Sequence, residues 1–347
     1  MRKTKSIESR RAIKRGMDFI YRMACDPQIF ADYGSDLLAC FYFISNTSQD
    51  PALRRLASRM GRERARQWRS NYAVLPPDAD ADTIVDLIYG SDSAERFKLT
   101  NKSLREQIRQ AAGRFKAADF LYFDPRAEPP PLDVPHECAC GWWNVRGRKR
   151  CSNCKKQLVM MTRYRVWYEC LIIAYGIARY GITGTEPYSD LLKWLPTLRP
   201  YPKIDYEDEP DFYDAVYAAS HIVYTLNNYS VYQLSPKWLP QEFEFLKASL
   251  KEAIAMDDPE MTGEILDSLR AFGLKQTHRL IDEGTDYLLS AQNADGSWGE
   301  IDDENIYGRY HSTWTAIDGL REYAWRGKGL SFPELKPLLR ELQRNGS

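Results

Sequence analysis

The sequence lacks several features that would assign it to a functional class at once. Its 48 basic and 48 acidic side chains leave no net charge, so we do not expect a general binder of nucleic acid or membrane surfaces. No run of about eighteen apolar residues occurs, so we expect no membrane span. The basic N-terminus also lacks the apolar core of a signal peptide, which favours a cytoplasmic protein.

Stretches that alternate with a period of two are rare, whereas apolar residues recur at steps of three and four, as in Ile13, Met17, Ile20 and Ala24. This pattern predicts an all-α fold in which amphipathic and nearly apolar helices alternate. Two proline-broken segments, 123–135 and 199–212, interrupt the helices. Helices are predicted around residues 13–24, 36–44 and 51–69, from Thr83, and at 103–118, 160–181, 210–227, 239–254, 260–272, 277–291, 309–325 and 332–343.

Cysteine is also scarce outside one cluster. Four of the seven cysteines fall within seventeen residues, as two pairs joined by a turn-forming spacer: Cys138, Cys140, Cys151 and Cys154. This spacing predicts a tetrahedral Zn²⁺ site in a ribbon-like insertion at 136–156, and His136 replacing one thiol is the alternative. Four protein ligands leave no open position, so we expect a structural zinc.

The same insertion is rich in basic and aromatic residues. Trp142 and Trp143 stand beside Arg146, Arg148, Lys149, Arg150, Lys155 and Lys156. One interpretation is a contact patch for nucleic acid or an acidic partner. The other is a solvated hairpin whose tryptophans pack on the helical body. The zero net charge favours the second interpretation, so nucleic acid is not an expected partner.

A duplicated pattern carries the candidate chemistry. Asp214, Tyr217, His221, Tyr224 and Thr225 have the same spacing as Glu304, Tyr307, His311, Trp314 and Thr315. Steps of three and four place each set on one helix face. These two faces, the acid–Tyr–His stripes, have three interpretations. They form a metal site made of imidazole and carboxylate, an acid–base pair, or a packing pattern in which each histidine is hydrogen-bonded to its neighbours.

A third group of residues carries a family resemblance. Gly284, Tyr287, Leu288, Gln292, Gly296 and Trp298 follow the order of the QW repeat of squalene–hopene and oxidosqualene cyclases. The segment that follows, 310–320, looks like an inner helix of the α/α-toroid superfamily, which includes terpenoid cyclases and protein prenyltransferase β-subunits. His311 matches the zinc-binding histidine of the prenyltransferases. However, Ser297 stands where their Asp-x-Cys motif has cysteine, and the D-x-D-D motif of hopene cyclases is missing.

The resemblance implies one α/α toroid built from residues 1–135 and 157–347, with the zinc insertion between them. It also implies an enzyme that takes a small hydrophobic substrate, such as an isoprenoid, into an aromatic-lined central cavity. We expect His221 and His311 to share one catalytic site, supported by Asp214 and Glu304. The remaining site residues are Tyr217 and Tyr307 in catalysis and Tyr224 and Trp314 in substrate binding.

Two alternatives remain open. A second metal ion in the cavity would replace acid–base chemistry with metal-assisted chemistry. A non-catalytic toroid would serve as a scaffold whose basic zinc ribbon binds a protein or nucleic-acid partner. The sequence does not indicate the oligomeric state.

Overall fold

The computed structural model describes residues 2–207 and 209–344. These residues form helices and loops, without a β-strand among them, so the all-α prediction is confirmed. No helix of this described part is long and apolar enough to cross a membrane. The α-helices are α1 (Arg2–Cys25), α2 (Pro27–Thr47), α3 (Pro51–Asn71), α4 (Ala81–Arg96), α5 (Lys102–Ala112), α6 (Arg163–Tyr180), α7 (Glu186–Leu192), α8 (Leu195–Leu198), α9 (Phe212–Leu226), α10 (Pro240–Ala255), α11 (Pro259–Ala271), α12 (Arg279–Ser290), α13 (Ile306–Leu320) and α14 (Lys336–Arg344).

Local sequence explains most of the helix boundaries. Proline in the first turn begins several helices because its missing N–H has no intrahelical partner there. Asp80 caps α4 by accepting from the backbone N–H of Thr83. Helix α5 ends at Ala112, six residues before its predicted end, and only a short 3-10 turn forms at Ala117–Asp119. Helices α7 and α8 were not predicted, because their short, proline-containing sequences show no helical periodicity.

Six helices contact one another in a cycle. Along the chain, α2 contacts α4, α4 contacts α6, α6 contacts α9, α9 contacts α11, and α11 contacts α13; α13 in turn contacts α2. Helices α1, α3, α5, α7, α10 and α12 each pack against one or two members of this cycle. One continuous hydrophobic core joins the helices before and after residues 136–156, whereas the insertion has a small core of its own.

The turn after α12 fastens the two ends of the chain together. The side-chain amide of Gln292 donates to the carbonyl of Ala12 in α1, at 2.9 Å. Gly296 has a φ of 96°, and a Cβ there would lie 2.7 Å from the carbonyl oxygen of Arg15. Only glycine therefore allows the backbone of the turn to approach α1 this closely.

Trp298 lies inside this joint and is fully buried. Its indole N–H donates to the carbonyl of Leu288 at 2.7 Å, which satisfies a carbonyl in the last turn of α12. Its ring lies against Gly16, where a Cβ would come within 2.8 Å of the ring. The tryptophan is therefore a packing element between α1, α12 and α13.

A polar network occupies the C-terminal ends of α2 and α13. The guanidinium of Arg321 pairs with Asp318 at 2.5 Å and donates to the hydroxyls of Thr47 and Ser48 at 2.8 and 3.2 Å. The backbone beyond α13 also pairs with the end of α2, through Ser48 and Tyr323. These contacts join α2 to α13 at their C-terminal ends.

Helices α11 and α13 approach each other most closely at Gly263 and Gly319. A Cβ at Gly263 would clash with the carbonyl oxygen of Thr315, and a Cβ at Gly319 would lie 3.0 Å from the Cα of Gly263. Since backbone, and not a flexible side chain, occupies the space, a larger residue would force the two helices apart.

Gly263→Ala is therefore expected to lower the free energy of unfolding by roughly 1–3 kcal/mol or more. Gly113→Ala is the matched control, because Gly113 has a helical φ of −63° and its Cβ would be 3.4 Å from the nearest atom. Urea unfolding followed by circular dichroism measures both. Equal unfolding free energies for the two variants would show that the helix approach is not tight.

Candidate active site

A cavity of about 1740 Å³ opens at the N-terminal halves of α6, α9, α11 and α13. The first residues of the insertion, the loop before α9, the end of α10 with the residues that follow it, and the turn after α12 also contribute to its wall. Both predicted histidines, His221 of α9 and His311 of α13, line this cavity, together with Tyr217 and Tyr307. Helix α11 lies between α9 and α13 and contacts both.

His221 is held as a neutral ring. Its Nδ1 lies 2.8 Å from the carbonyl oxygen of Tyr217, which requires the proton on Nδ1. Nε2 is then left as the hydrogen-bond acceptor. The ring stacks on Tyr168 at a centroid distance of 4.9 Å. Burial, reinforced by the charge of His311, lowers the pKa of His221 to about 4.

His311, in contrast to the neutral His221, carries a positive charge. Its Nδ1 lies 3.0 Å from a carboxylate oxygen of Glu260, although the N–H is not aligned as a directed hydrogen bond. Burial acts to lower the pKa of His311, but the nearby carboxyl groups, with Glu260 contributing most, together outweigh burial and raise this pKa to about 9. The ring is therefore an imidazolium at neutral pH.

Glu260 is buried but remains ionised. The hydroxyls of Tyr217 and Ser312 donate to its two oxygens at 2.7 and 2.9 Å. Burial acts to raise the pKa of Glu260, yet His311 and these donors lower it to about 2. Tyr217 therefore connects the two histidines: its carbonyl accepts from His221, and its hydroxyl donates to the partner of His311.

A second carboxyl group lies one turn further along α11. Glu264 accepts from the hydroxyl of Ser220, and an oxygen of Glu264 lies 3.7 Å from Nδ1 of His221. Burial raises the pKa of Glu264 to about 8, so the group is mainly protonated at neutral pH. Since His221 is also neutral, this contact is not an ion pair.

The predicted carboxylates occupy other places. Asp214 accepts from the hydroxyl of Thr162 at 2.8 Å, and Glu304 is exposed and does not line the cavity. Glu260 and Glu264 lie beside the histidines in their place, because α11 stands between the two stripes. The sequence did contain a signal for these two residues. They are glutamates four residues apart in a helix that is otherwise almost wholly buried, and buried carboxylates need partners.

The predicted aromatic residues differ in their distance from the cavity. Tyr307 stacks on His311 at 4.7 Å and is 41% exposed. Tyr224 and Trp314, predicted to bind substrate, do not line the cavity; they contact the histidine rings edge-on at 5.5 and 5.8 Å. They lie behind the histidines, one turn further along each helix. Tyr168, which the sequence pattern did not indicate, lies in the wall itself.

The four cysteines of the insertion come together as predicted. Their sulfur atoms all lie within 4.8 Å of one another, with Cys138–Cys154 at 3.4 Å and Cys140–Cys151 at 3.7 Å. A zinc tetrahedron with Zn–S bonds of about 2.3 Å has S–S edges of about 3.8 Å, so the four thiols fit a metal ion such as zinc. In the described part of the chain, no cavity group of three or more His, Asp or Glu side chains is gathered in this way.

The surface of the insertion differs from the favoured interpretation. Trp142 and Trp143 are 51% and 57% exposed, so the tryptophan pair is not packed into the helical body. Trp143 lies at the cavity wall, together with His136 and Glu137. Arg146 pairs with Glu128 and Asp133, which offsets part of the basic charge.

Comparison with protein-family models, with curated proteins and with solved structures gives no match for this chain.

The two histidines should titrate far apart. In the wild type we expect His221 near pKa 4 and His311 near pKa 9, measured by NMR of ring-labelled histidine across pH. Glu260→Gln removes the carboxylate that raises the pKa of His311, so this pKa should fall. Glu304→Gln is the control and should leave both values unchanged. A common pKa near 6.5, or an equal effect of the two variants, would contradict the assigned contacts.

The cysteine site should hold about one equivalent of zinc per chain. Cys151→Ser should lose the metal and loosen the insertion first, because metal binding and local folding are coupled. Cys25→Ser is the control, since Cys25 is an exposed cysteine outside the site. Elemental analysis gives the metal content, and limited proteolysis shows which segment opens. A metal-free wild type, purified without chelator, would contradict the assignment.

Proposed function

We propose that the chain is an acid–base enzyme built on an α/α toroid, with the insertion placed at the mouth of its active-site cavity. The cycle of contacts from α2 to α13 and back to α2 supports the toroid, as does the packing of α1 on α13. Residues 290–300, which resemble the QW repeat, fasten the last helix pair to the first.

One observation carries the chemistry: a neutral histidine, His221, and a protonated histidine, His311, line the same cavity. A pair of titratable groups whose surroundings drive their pKa values apart is the arrangement that acid–base enzymes use. In this proposal Nε2 of His221 accepts a proton from the substrate. His311, charged and paired with Glu260, donates a proton or stabilises negative charge as it develops.

Tyrosine hydroxyls extend the acid group toward the cavity rim. Tyr213 and Tyr217 hydroxyls lie 3.1 Å apart, and Tyr217 donates to Glu260. Reprotonation of the His311–Glu260 pair between turnovers would follow this chain. Glu264, mainly protonated, adds little negative charge beside His221, so burial keeps that ring neutral.

Zinc at the four cysteines has a structural role in this proposal. Because all four positions of the metal are taken by protein ligands, it would supply no Lewis acid to the cavity. It would fix the fold of the insertion and thereby hold Trp143 and His136 at the cavity mouth. A second metal ion, bound to neutral His221 and the glutamates, stays a weaker hypothesis because three ligand atoms do not converge there.

The substrate class follows from the resemblance only in part. Tyrosine rings of the wall, such as Tyr168 and Tyr217, offer apolar faces to a small organic substrate, as expected for a hydrophobic ligand. The cavity is also polar, with carboxylates around its rim. We therefore propose a substrate with an apolar portion. That this substrate is an isoprenoid rests on the resemblance alone.

The scaffold alternative is favoured by one observation, the exposed surface of the insertion. Trp142, Trp143 and Val145 are each more than half exposed, and the basic side chains Lys149 and Arg150 lie close to them in sequence and are also exposed. Exposed aromatic residues flanked by basic ones are suited to a protein or nucleic-acid partner. In that case the cavity histidines would contribute to stability alone.

An activity screen separates the two functions. The wild type is incubated with a small-metabolite extract, and mass spectrometry records which compounds disappear. For such a compound, His221→Asn and His311→Asn should each reduce turnover by about 10²-fold or more, the usual contribution of a positioned acid or base. Glu304→Gln should retain full turnover. Unchanged turnover in both histidine variants, or no consumption by the wild type, would favour the scaffold.

A further inference from the structure

The cavity wall carries far more acid than base. Ten carboxylates line it, against one guanidinium, that of Arg165, among the described residues. Arg165 is paired with Glu169 at 2.8 Å, and His311 is paired with Glu260 at 3.0 Å, so both positive charges are already neutralised. The remaining field in the cavity is therefore negative, and a low-dielectric cleft concentrates such a field.

Three of the carboxylates without an ion pair to a described residue come from separate parts of the chain. Glu137 lies in the insertion, Glu207 in the loop before α9 and Glu300 in the turn after α12. All three are exposed, and no hydrogen bond or ion pair to a described residue accounts for them. Like charges gathered from three segments around one opening oppose each other unless a positive ligand lies between them.

An independent observation comes from Tyr168. This residue is only 7% exposed and lines the cavity, yet no described residue hydrogen-bonds to its hydroxyl. The hydroxyl oxygen itself is not enclosed by protein atoms, so a ligand in the cavity can reach it. Its ring stacks on His221 at 4.9 Å, which places the free hydroxyl next to the proposed base.

We propose that the cavity binds an organic cation, a small aliphatic amine whose ammonium group lies between tyrosine faces and carboxylates. Tyrosine faces attract ammonium groups through the ring quadrupole, and the hydroxyl of Tyr168 accepts a hydrogen bond from the ammonium. The proposal rests on the proposed function only in placing this ligand beside His221 and His311. A diphosphate, the charged group of isoprenoid substrates, would meet the same carboxylates and be repelled.

Three probes of equal length test the sign of the ligand. Isothermal titration of the full-length protein uses 1,8-diaminooctane, 1,8-octanediol and octanedioate, at low and at high salt. The diamine should bind at least tenfold more tightly than the diol, and its affinity should fall as salt rises. Octanedioate should not bind. Equal affinity for the diamine and the diol, or preference for the dianion, would overturn the proposal.

Variants locate the binding. Changing Glu137, Glu207 and Glu300 together to glutamine should weaken diamine binding about tenfold or more and leave diol binding unchanged. The control changes Glu8, Glu334 and Glu341 to glutamine, which removes the same charge from exposed positions outside the cavity. Tyr168→Phe keeps the ring and should weaken diamine binding severalfold. Equal affinities for the two triple variants would show that any binding lies elsewhere.

The outcomes also separate this proposal from the proposed function. A chain that binds the diamine but consumes no metabolite has the cation site without the enzyme. A chain whose turnover depends on His221 but which shows no preference for the diamine is the enzyme with another substrate. Binding of maltotriose in place of the diamine would assign the tyrosines and carboxylates to a carbohydrate and refute the cation.

Discussion

The close approach of α11 to α13 is the constraint on which the candidate site depends. Gly263 lets the backbone of α11 lie against the carbonyl of Thr315, and Gly319 allows the same contact from the other side. This contact brings Glu260, one turn before Gly263, to within 3.0 Å of His311. A wider spacing of these helices would leave a buried carboxylate without its counter-charge, a state that costs several kcal/mol.

The Glu260–His311 pair also links the site to stability. Because the pKa of His311 is raised to about 9, its contribution is fully present below the ordinary histidine pKa of 6.5 and is lost as pH rises through 9. Because the pKa of Glu260 is lowered to about 2, its contribution is present above 4.5 and is lost as pH falls through 2. The full contribution of the pair to stability is therefore confined to roughly pH 4.5–6.5.

The sequence carried much of the fold but less of the site. Periodicity predicted the helices because each presents an apolar face to the core, and the cysteine spacing predicted the cluster because both pairs are local. Periodicity and spacing could not predict which carboxyl groups lie beside the histidines. Spacing within α9 and α13 shows which residues share a face, but not that a third helix separates them. Only the packing of α11 replaces Asp214 and Glu304 with Glu264 and Glu260.

The two stripes show how packing separates similar sequences. Both have a histidine four residues after a tyrosine, and in both the tyrosine ring stacks near the histidine ring. What differs is the carboxyl group that α11 offers to each. Glu260 receives hydroxyl donors on both oxygens and stays ionised, so it helps to charge His311. Glu264 is buried more deeply and is mainly protonated, so it does not offset the burial that keeps His221 neutral. A single helix with glutamates one turn apart thus helps to give different protonation states to two histidines that the sequence presents as equivalent.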